Sequence, residues 1–208
     1  MIKEKHHRAA RGVLENTLTE RQQVAGRYVI TIAGESGSGK SETAVALAEG
    51  FSKDGVNSVI LQQDDYFVYP PKTNDATRRK DIGWVGPQEV RLDLLDKHLE
   101  MVLQGSESIT KPLVIYKEDQ TTDETISLTN VKVVIAEGTY TTMLKNANCR
   151  VFIDLTYHAT KASRLERARE EQDDFIEKVL KIEHKIISKH KARADLIIDR
   201  DFNVTKVG

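Results

Sequence analysis

One eight-residue stretch constrains this chain more than any other feature. Gly34-Glu35-Ser36-Gly37-Ser38-Gly39-Lys40-Ser41 satisfies the pattern G-x-x-x-x-G-K-[ST] in full. It follows the β-branched run Tyr28-Val-Ile-Thr-Ile-Ala33, which reads as a buried strand. It precedes residues 41–51, whose Val45, Leu47, Ala48 and Phe51 recur at helical spacing. Glycines let the backbone curl so that several N–H groups point at one phosphate, and the following helix adds its positive N-terminal end. Lys40 supplies a mobile charge to the β and γ phosphates, and the Ser41 hydroxyl can ligate Mg²⁺. Glu42, next on the helix, is counted with this segment. The pattern therefore predicts a strand–loop–helix unit that binds ATP with Mg²⁺.

The rest of the chain repeats the strand-then-helix order. Residues 3–24 predict a leading helix with a weak apolar face. Residues 56–61 read as a second strand, ended by Gln62-Gln63-Asp64-Asp65, and residues 69–87 as irregular. Residues 87–103 carry a helical stripe (Val90, Leu92, Leu95, Leu99, Val102) stopped by Gly105. Residues 113–116 and 125–128 predict a small hairpin; residues 131–136, 150–155 and 196–198 predict three more strands. Residues 158–191 are helical and charged, with a break expected near Gln172-Asp173. Near-continuous apolar strands alternating with helices predict an α/β fold with a mainly parallel sheet of five strands, covered on both faces. In such a sheet ligands sit beyond the carboxyl ends of the strands.

With 208 residues, the chain predicts a single domain with a small lid. Its formal net charge is −1, which argues against a nucleic-acid partner, since phosphate backbones demand a basic excess. No apolar run approaches the roughly 18 residues of a membrane span. The start of the chain, Met1 to Arg11, is polar and basic and does not read as a secretory signal. The single cysteine, Cys149, fits a reducing, cytoplasmic setting.

Several polar residues at predicted strand ends can do chemistry. Glu137 closes an apolar strand and can hold Mg²⁺ if that strand neighbours the phosphate loop. Asp64 or Asp65 can take the proton of an attacking hydroxyl; alternating side chains put only one of them on the right face, and spacing does not choose. Arg164 and Arg167 share a helix face and can stabilise charge on a transferring phosphoryl group. Arg78, Arg79 and Lys80 can bind an acidic acceptor. Trp84 can stack on a substrate ring or anchor its loop; Tyr66, Phe67 and Tyr69 can wall an acceptor pocket or fill space. The histidines at 6, 7, 158, 184 and 190 form no ligand pattern and read as surface or helix-face groups.

Four stretches, in this order, resemble the uridine kinase / phosphoribulokinase family of P-loop kinases. They are Ile32 to Ser41; Gln63-Asp64-Asp65-Tyr66-Phe67; Val134-Ile135-Ala136-Glu137-Gly138; and Phe152-Ile-Asp154 through Arg164-Leu165-Glu166-Arg167 to Ala194-Asp195-Leu-Ile-Ile198. The resemblance implies a three-layer P-loop sandwich, with the hairpin and residues 69–87 on the acceptor side and a helical lid over residues 158–175. It implies that Asp64 is the base, that Ser41 and Glu137 serve Mg²⁺, and that Arg164 and Arg167 belong to the lid. With Asp64 as the base, Tyr66, Arg79, Trp84 and Tyr116 are the candidates to stand beside a small-molecule acceptor of nucleoside or sugar type. Assembly into a homo-oligomer is compatible with it.

The chain departs from the family where the nucleoside would be read. Val85-Gly86-Pro87 replaces an acid ahead of a His-Pro pair. The loop Lys117-Glu-Asp-Gln-Thr-Thr122 is short and lacks a His, and Glu170-Glu171-Gln172 stands where the lid would carry Arg and Gly. Phosphoryl transfer to a hydroxyl is the leading expectation. A nucleotide-binding regulator without transfer is the alternative; a GTPase is disfavoured because no Asn-Lys-x-Asp segment occurs.

Overall fold

The computed structural model describes residues 2–167 and 173–207; the side chains of Ser163, Glu166 and Arg167 also lie outside the described set. In chain order the main elements are α1 (Glu4–Gln23), β1 (Tyr28–Gly34), α2 (Lys40–Lys53), β2 (Ser58–Gln62), α3 (Pro71–Lys80), α4 (Leu92–Leu103), β3 (Ser108–Ile115) and β4 (Gln120–Ser127). They continue with β5 (Val133–Glu137), β6 (Cys149–Ile153), α5 (Lys161–Arg167), α6 (Asp174–Ile187), β7 (Leu196–Ile198) and β8 (Val204–Lys206).

The central sheet runs β2-β5-β1-β6-β7-β8. Its first five strands are parallel, and β8 pairs antiparallel with β7. The five predicted strands are present, and β8 adds a sixth that a three-residue polar segment does not announce. β1 is buried at every position, as its β-branched run requires when both faces are covered. On one face Ile30, Ile32, Ile135 and Val151 pack under Ala9 and Val13 of α1 and Leu47 and Phe51 of α2. On the other, Val29, Ala33, Val134 and Phe152 meet Leu95, Leu99 and Val102 of α4.

The order of strands positions the site. β5 lies between β1 and β2, with Glu137 in register with Ile32 of β1 and Gln62 of β2. The carboxyl end of β5 thus stands between the phosphate loop and the acidic pair after β2.

Three elements differ from expectation. Part of the segment 69–87 is helix α3, begun by Pro71 in its first turn, where a missing N–H costs nothing. The helix expected over 87–103 is interrupted, because Val90 bridges to Phe67 before α4 begins. The hairpin β3–β4 is eight residues per arm, longer than the paired segments expected. The expected break near Gln172 lies outside the described residues. Among those residues no helix is long and apolar enough to cross a membrane.

His6 is buried rather than a surface group. Its Nδ1 accepts the Lys3 N–H at 3.0 Å, and its ring meets Phe202 edge-on. Burial pushes its pKa down to about 4, against a weaker upward pull from Glu42. A ring held neutral below its ordinary 6.5 stabilises the fold fully above that pH, and the contribution is lost as pH falls towards 4. The wild-type chain will therefore lose roughly 1–3 kcal/mol between pH 7 and 4 through this group alone. Melts of a His6→Gln variant at both pH values should show a shallower fall; an unchanged slope would remove His6 from the account.

Candidate active site

Beyond the carboxyl ends of β1, β2 and β5 lies a cavity of about 690 Å³. Its phosphate-loop wall is Ser36, Gly37, Lys40 and Ser41. Gly37 and Gly39 hold φ of 76° and 94°, the left-handed region that glycine enters without strain. Lys40 Nζ donates to the Glu35 carbonyl at 3.1 Å, which points the lysine along the loop.

Glu35 does not present its carboxylate to the cavity. That group is buried, accepting the Tyr157 N–H at 2.6 Å and pairing with His184 Nδ1 at 2.7 Å. Ser38 is also buried beneath the loop, and Glu42 occupies the first turn of α2. What Glu35 does is fasten the loop to α6, a role invisible before the fold is known.

Ser41 Oγ donates to Glu137 Oε1 at 2.9 Å, with Glu137 itself buried. Burial pushes the Glu137 carboxyl up to about 7; Asp64 adds to the rise, while Lys40 and the Ser41 hydrogen bond oppose it. A buried, electron-rich carboxyl beside a hydroxyl suits a divalent cation, whose charge would favour its ionised form. Among the described residues no cluster of three or more His, Cys, Asp or Glu could hold a metal alone. Mg²⁺ fits that arrangement, because it keeps waters and takes phosphate oxygens rather than a full protein cage.

The two aspartates after β2 are separated by the fold. Asp64 lines the cavity, where the Tyr116 hydroxyl reaches its Oδ2 at 3.4 Å. Asp65 turns away and is buried; it accepts Lys111 Nζ at 2.6 Å and the Val114 N–H at 3.1 Å, fastening β3.

Arg164 lies on α5, against the phosphate loop: a Cβ on Gly37 would stand 2.8 Å from its Cγ. It donates to the Tyr157 carbonyl and, at 2.8 Å, to Thr160 Oγ1, while Nε and NH2 have no partner among the described residues. Thr160 Oγ1 in turn donates to the Ser36 carbonyl at 2.8 Å. The start of α5 is thus clamped on the loop, with an arginine at the cavity wall whose Nε and NH2 have no partner among the described residues. Arg167 ends α5, and its side chain lies outside the described residues.

Two expected acceptor contacts are placed elsewhere. Tyr66 is fully buried in the core and bonded to His98 Nδ1 at 2.9 Å, since the turn after β2 swings its ring under α4. Trp84 is an anchor: it packs on Tyr69 and donates from Nε1 to Asn74 at 2.9 Å. Arg79 is on the cavity rim, and Tyr116 lines the cavity.

Sequence reasoning missed a buried group behind the α3 side of the cavity. Glu89 is completely buried; its Oε2 accepts Arg78 Nε and Asn74 Nδ2, both at 2.6 Å, and its Oε1 accepts the Gly86 N–H at 2.7 Å. Arg78 also reaches Glu183 of α6 at 3.3 Å. The one available signal was Arg78 in a polar segment; its partners stand 11 and 105 residues away.

A glycine-rich loop between the central strand and its helix, in a three-layer sandwich of mostly parallel strands, is the fold of the P-loop kinases. A possible uridine kinase from Bacillus stearothermophilus shares that fold, with a TM-score of 0.64 over 91% of this chain and 96% of its own at 19% identity. The chain belongs to the Phosphoribulokinase / Uridine kinase family, whose model matches residues 29–207. It is 29% identical over 189 residues to a uridine kinase of Latilactobacillus sakei, covering 84% of this chain and 86% of that one. It is also 29% identical over 192 residues to a bifunctional alpha-galactosidase/sucrose kinase of Mediterraneibacter gnavus. That alignment takes in 86% of this chain, which spans only 20% of the bifunctional protein.

Proposed function

We propose that this protein transfers the γ-phosphate of ATP to a hydroxyl of a small acceptor. The observation that carries the reading is convergence: Lys40, Ser41, Asp64, Glu137 and Arg164 all line one cavity. Loop N–H groups and Lys40 hold the phosphates at the positive end of α2. The acceptor oxygen attacks the γ-phosphorus as the bond to the bridging β–γ oxygen breaks, giving ADP and a phosphate ester. Asp64 accepts the hydroxyl proton. Arg164, with donors to spare, offsets charge on the phosphoryl oxygens. Mg²⁺, held by Ser41 and Glu137, would supply further neutralisation of that charge. The α5 clamp keeps bulk water from the phosphate.

Asp64 favours transfer over mere nucleotide binding, because a bound nucleotide alone needs no carboxylate on the acceptor side. The names of the relatives make uridine and sucrose the first acceptors to try. ADP formation should be measured with Mg-ATP and uridine, cytidine, sucrose, fructose, ribose, pantothenate or glycerate, using Lys40→Ala as the blank. Acceptor-dependent ADP above that blank is expected. ATP binding with no acceptor-dependent turnover would overturn the reading.

A further inference from the structure

Helix α6 meets two sides of the cavity through consecutive residues. Glu183 reaches Arg78 of α3 at 3.3 Å. His184 meets Glu35, the second residue of the phosphate loop, at 2.7 Å. The Glu35 side chain is only 7% exposed. A carboxylate accepts and does not donate, so Nδ1 of His184 is the donor to Oε1. The Tyr157 N–H donates to Oε2 at 2.6 Å. The main-chain carbonyl of the same glutamate accepts the Ser38 N–H at 3.2 Å and Lys40 Nζ at 3.1 Å. Glu35 thus closes the turn of the loop with its backbone and pins that turn with its side chain. Helix α6 is firmly seated for this contact. Ile176 and Leu180 pack with Tyr157 in a small core of their own, and the His184 ring stands 5.6 Å from the Tyr157 ring.

We infer that His184 is a positioning residue for the nucleotide: by donating to Glu35 it holds the phosphate loop in the curled form that receives phosphate. The inference rests on the nucleotide half of the reading above and adds to it a residue 149 positions along the chain from its partner. His184 does not line the cavity, so it acts through Glu35. Without that donor, one oxygen of a buried carboxylate loses its partner, and the side chain gains by turning towards water. Its own peptide, which closes the turn, is drawn with it. A loop whose N–H groups already converge binds phosphate without first being ordered; a loosened loop must be re-formed at each binding event and binds more weakly.

The test is calorimetric titration of the full chain with Mg-ADP, which needs no acceptor and no turnover. His184→Phe keeps a ring beside Tyr157 and removes the donor; it should weaken Mg-ADP binding about tenfold. His184→Asn places an amide N–H close to where Nδ1 stands and should bind within about threefold of wild type. If His184→Phe does not fold, His184→Gln replaces it, because that amide stands nearer the position of Nε2. In a Glu35→Ala background, which already binds weakly, His184→Phe should change the constant less than about twofold. A ring that served packing alone would cost the same in both backgrounds and would not be rescued by Asn. Should Glu35→Ala not fold, the contrast between Asn and the donor-free variant decides. Wild-type affinity in that variant, an Asn variant no better than it, or an equal loss in the Glu35→Ala background would overturn the inference and leave the transfer reading standing. A wild-type chain that binds no Mg-ADP would sink the transfer reading, and this inference with it.

Discussion

If Asp64 is the base of the proposed transfer, replacing it with Asn should cut turnover at least about 10²-fold, the usual cost of a lost general base, and leave ATP binding close to normal. Asparagine keeps the shape and the reach towards Tyr116 but cannot accept a proton. Removing the Asp64 charge also relieves Glu137, whose pKa is raised by burial first and by Asp64 second. Asp65→Asn makes the contrast. Its carboxylate meets Lys111 Nζ at 2.6 Å, on a side chain only 4% exposed. Neutralising it leaves a buried ammonium with the more exposed Glu124, at 3.3 Å, in place of its closest carboxylate and loosens β3, so it should lower the melting temperature more than it lowers turnover. Steady-state kinetics and calorimetric ATP titration of the two variants separate these outcomes. Full activity in Asp64→Asn with a dead but folded Asp65→Asn would reverse the assignment.

Glu89→Ala should destabilise the protein by about 3–5 kcal/mol, the range for breaking a buried ion pair by deleting one partner. Glu89 is fully buried and receives three donors: Arg78 Nε, Asn74 Nδ2 and the Gly86 N–H. Alanine would leave those donors facing a cavity and Arg78 with Glu183 as its remaining carboxylate among the described residues. Against a typical total stability of about 5–15 kcal/mol, that loss is large. Denaturant unfolding measures it. A Glu89→Ala protein with an unchanged midpoint would mean that the pair contributes nothing to the fold.

What could be read before the fold was known follows from how local each signal is. The phosphate loop is a contiguous pattern, and the five parallel strands are continuous apolar runs, so both were legible. Asp64 and Asp65 were not separable by spacing, because what divides them is Lys111, 46 residues away. Helix α3 escaped notice because it is polar throughout and has no apolar stripe to mark it. Tyr66 and Trp84 misled for a related reason: an aromatic ring beside a motif serves a pocket or a core equally well until neighbouring elements are placed. Glu89 and Glu183 stand in separate segments, and nothing in either predicts the guanidinium that joins them. The phosphate loop is written locally, and the opposite wall of the cavity is distributed over separate elements.

Helix α1 carries a practical consequence for how this protein can be divided. The family match begins at residue 29, after α1 has ended. Yet Ala9, Ala10 and Val13 belong to the same core as Leu47 and Phe51, and Arg21 lies over the Phe51 ring at 4.7 Å. The helix runs so close to β8 that a Cβ on Gly12 would stand 2.6 Å from Val204. A chain trimmed to the family boundary would keep the whole glycine-rich loop and expose an apolar strip along α2, together with the last strand of the sheet. It would be expected to aggregate during expression rather than yield a smaller working enzyme. The limits of shared ancestry and the limits of an independently folding unit are different lines in this protein, set apart by one helix.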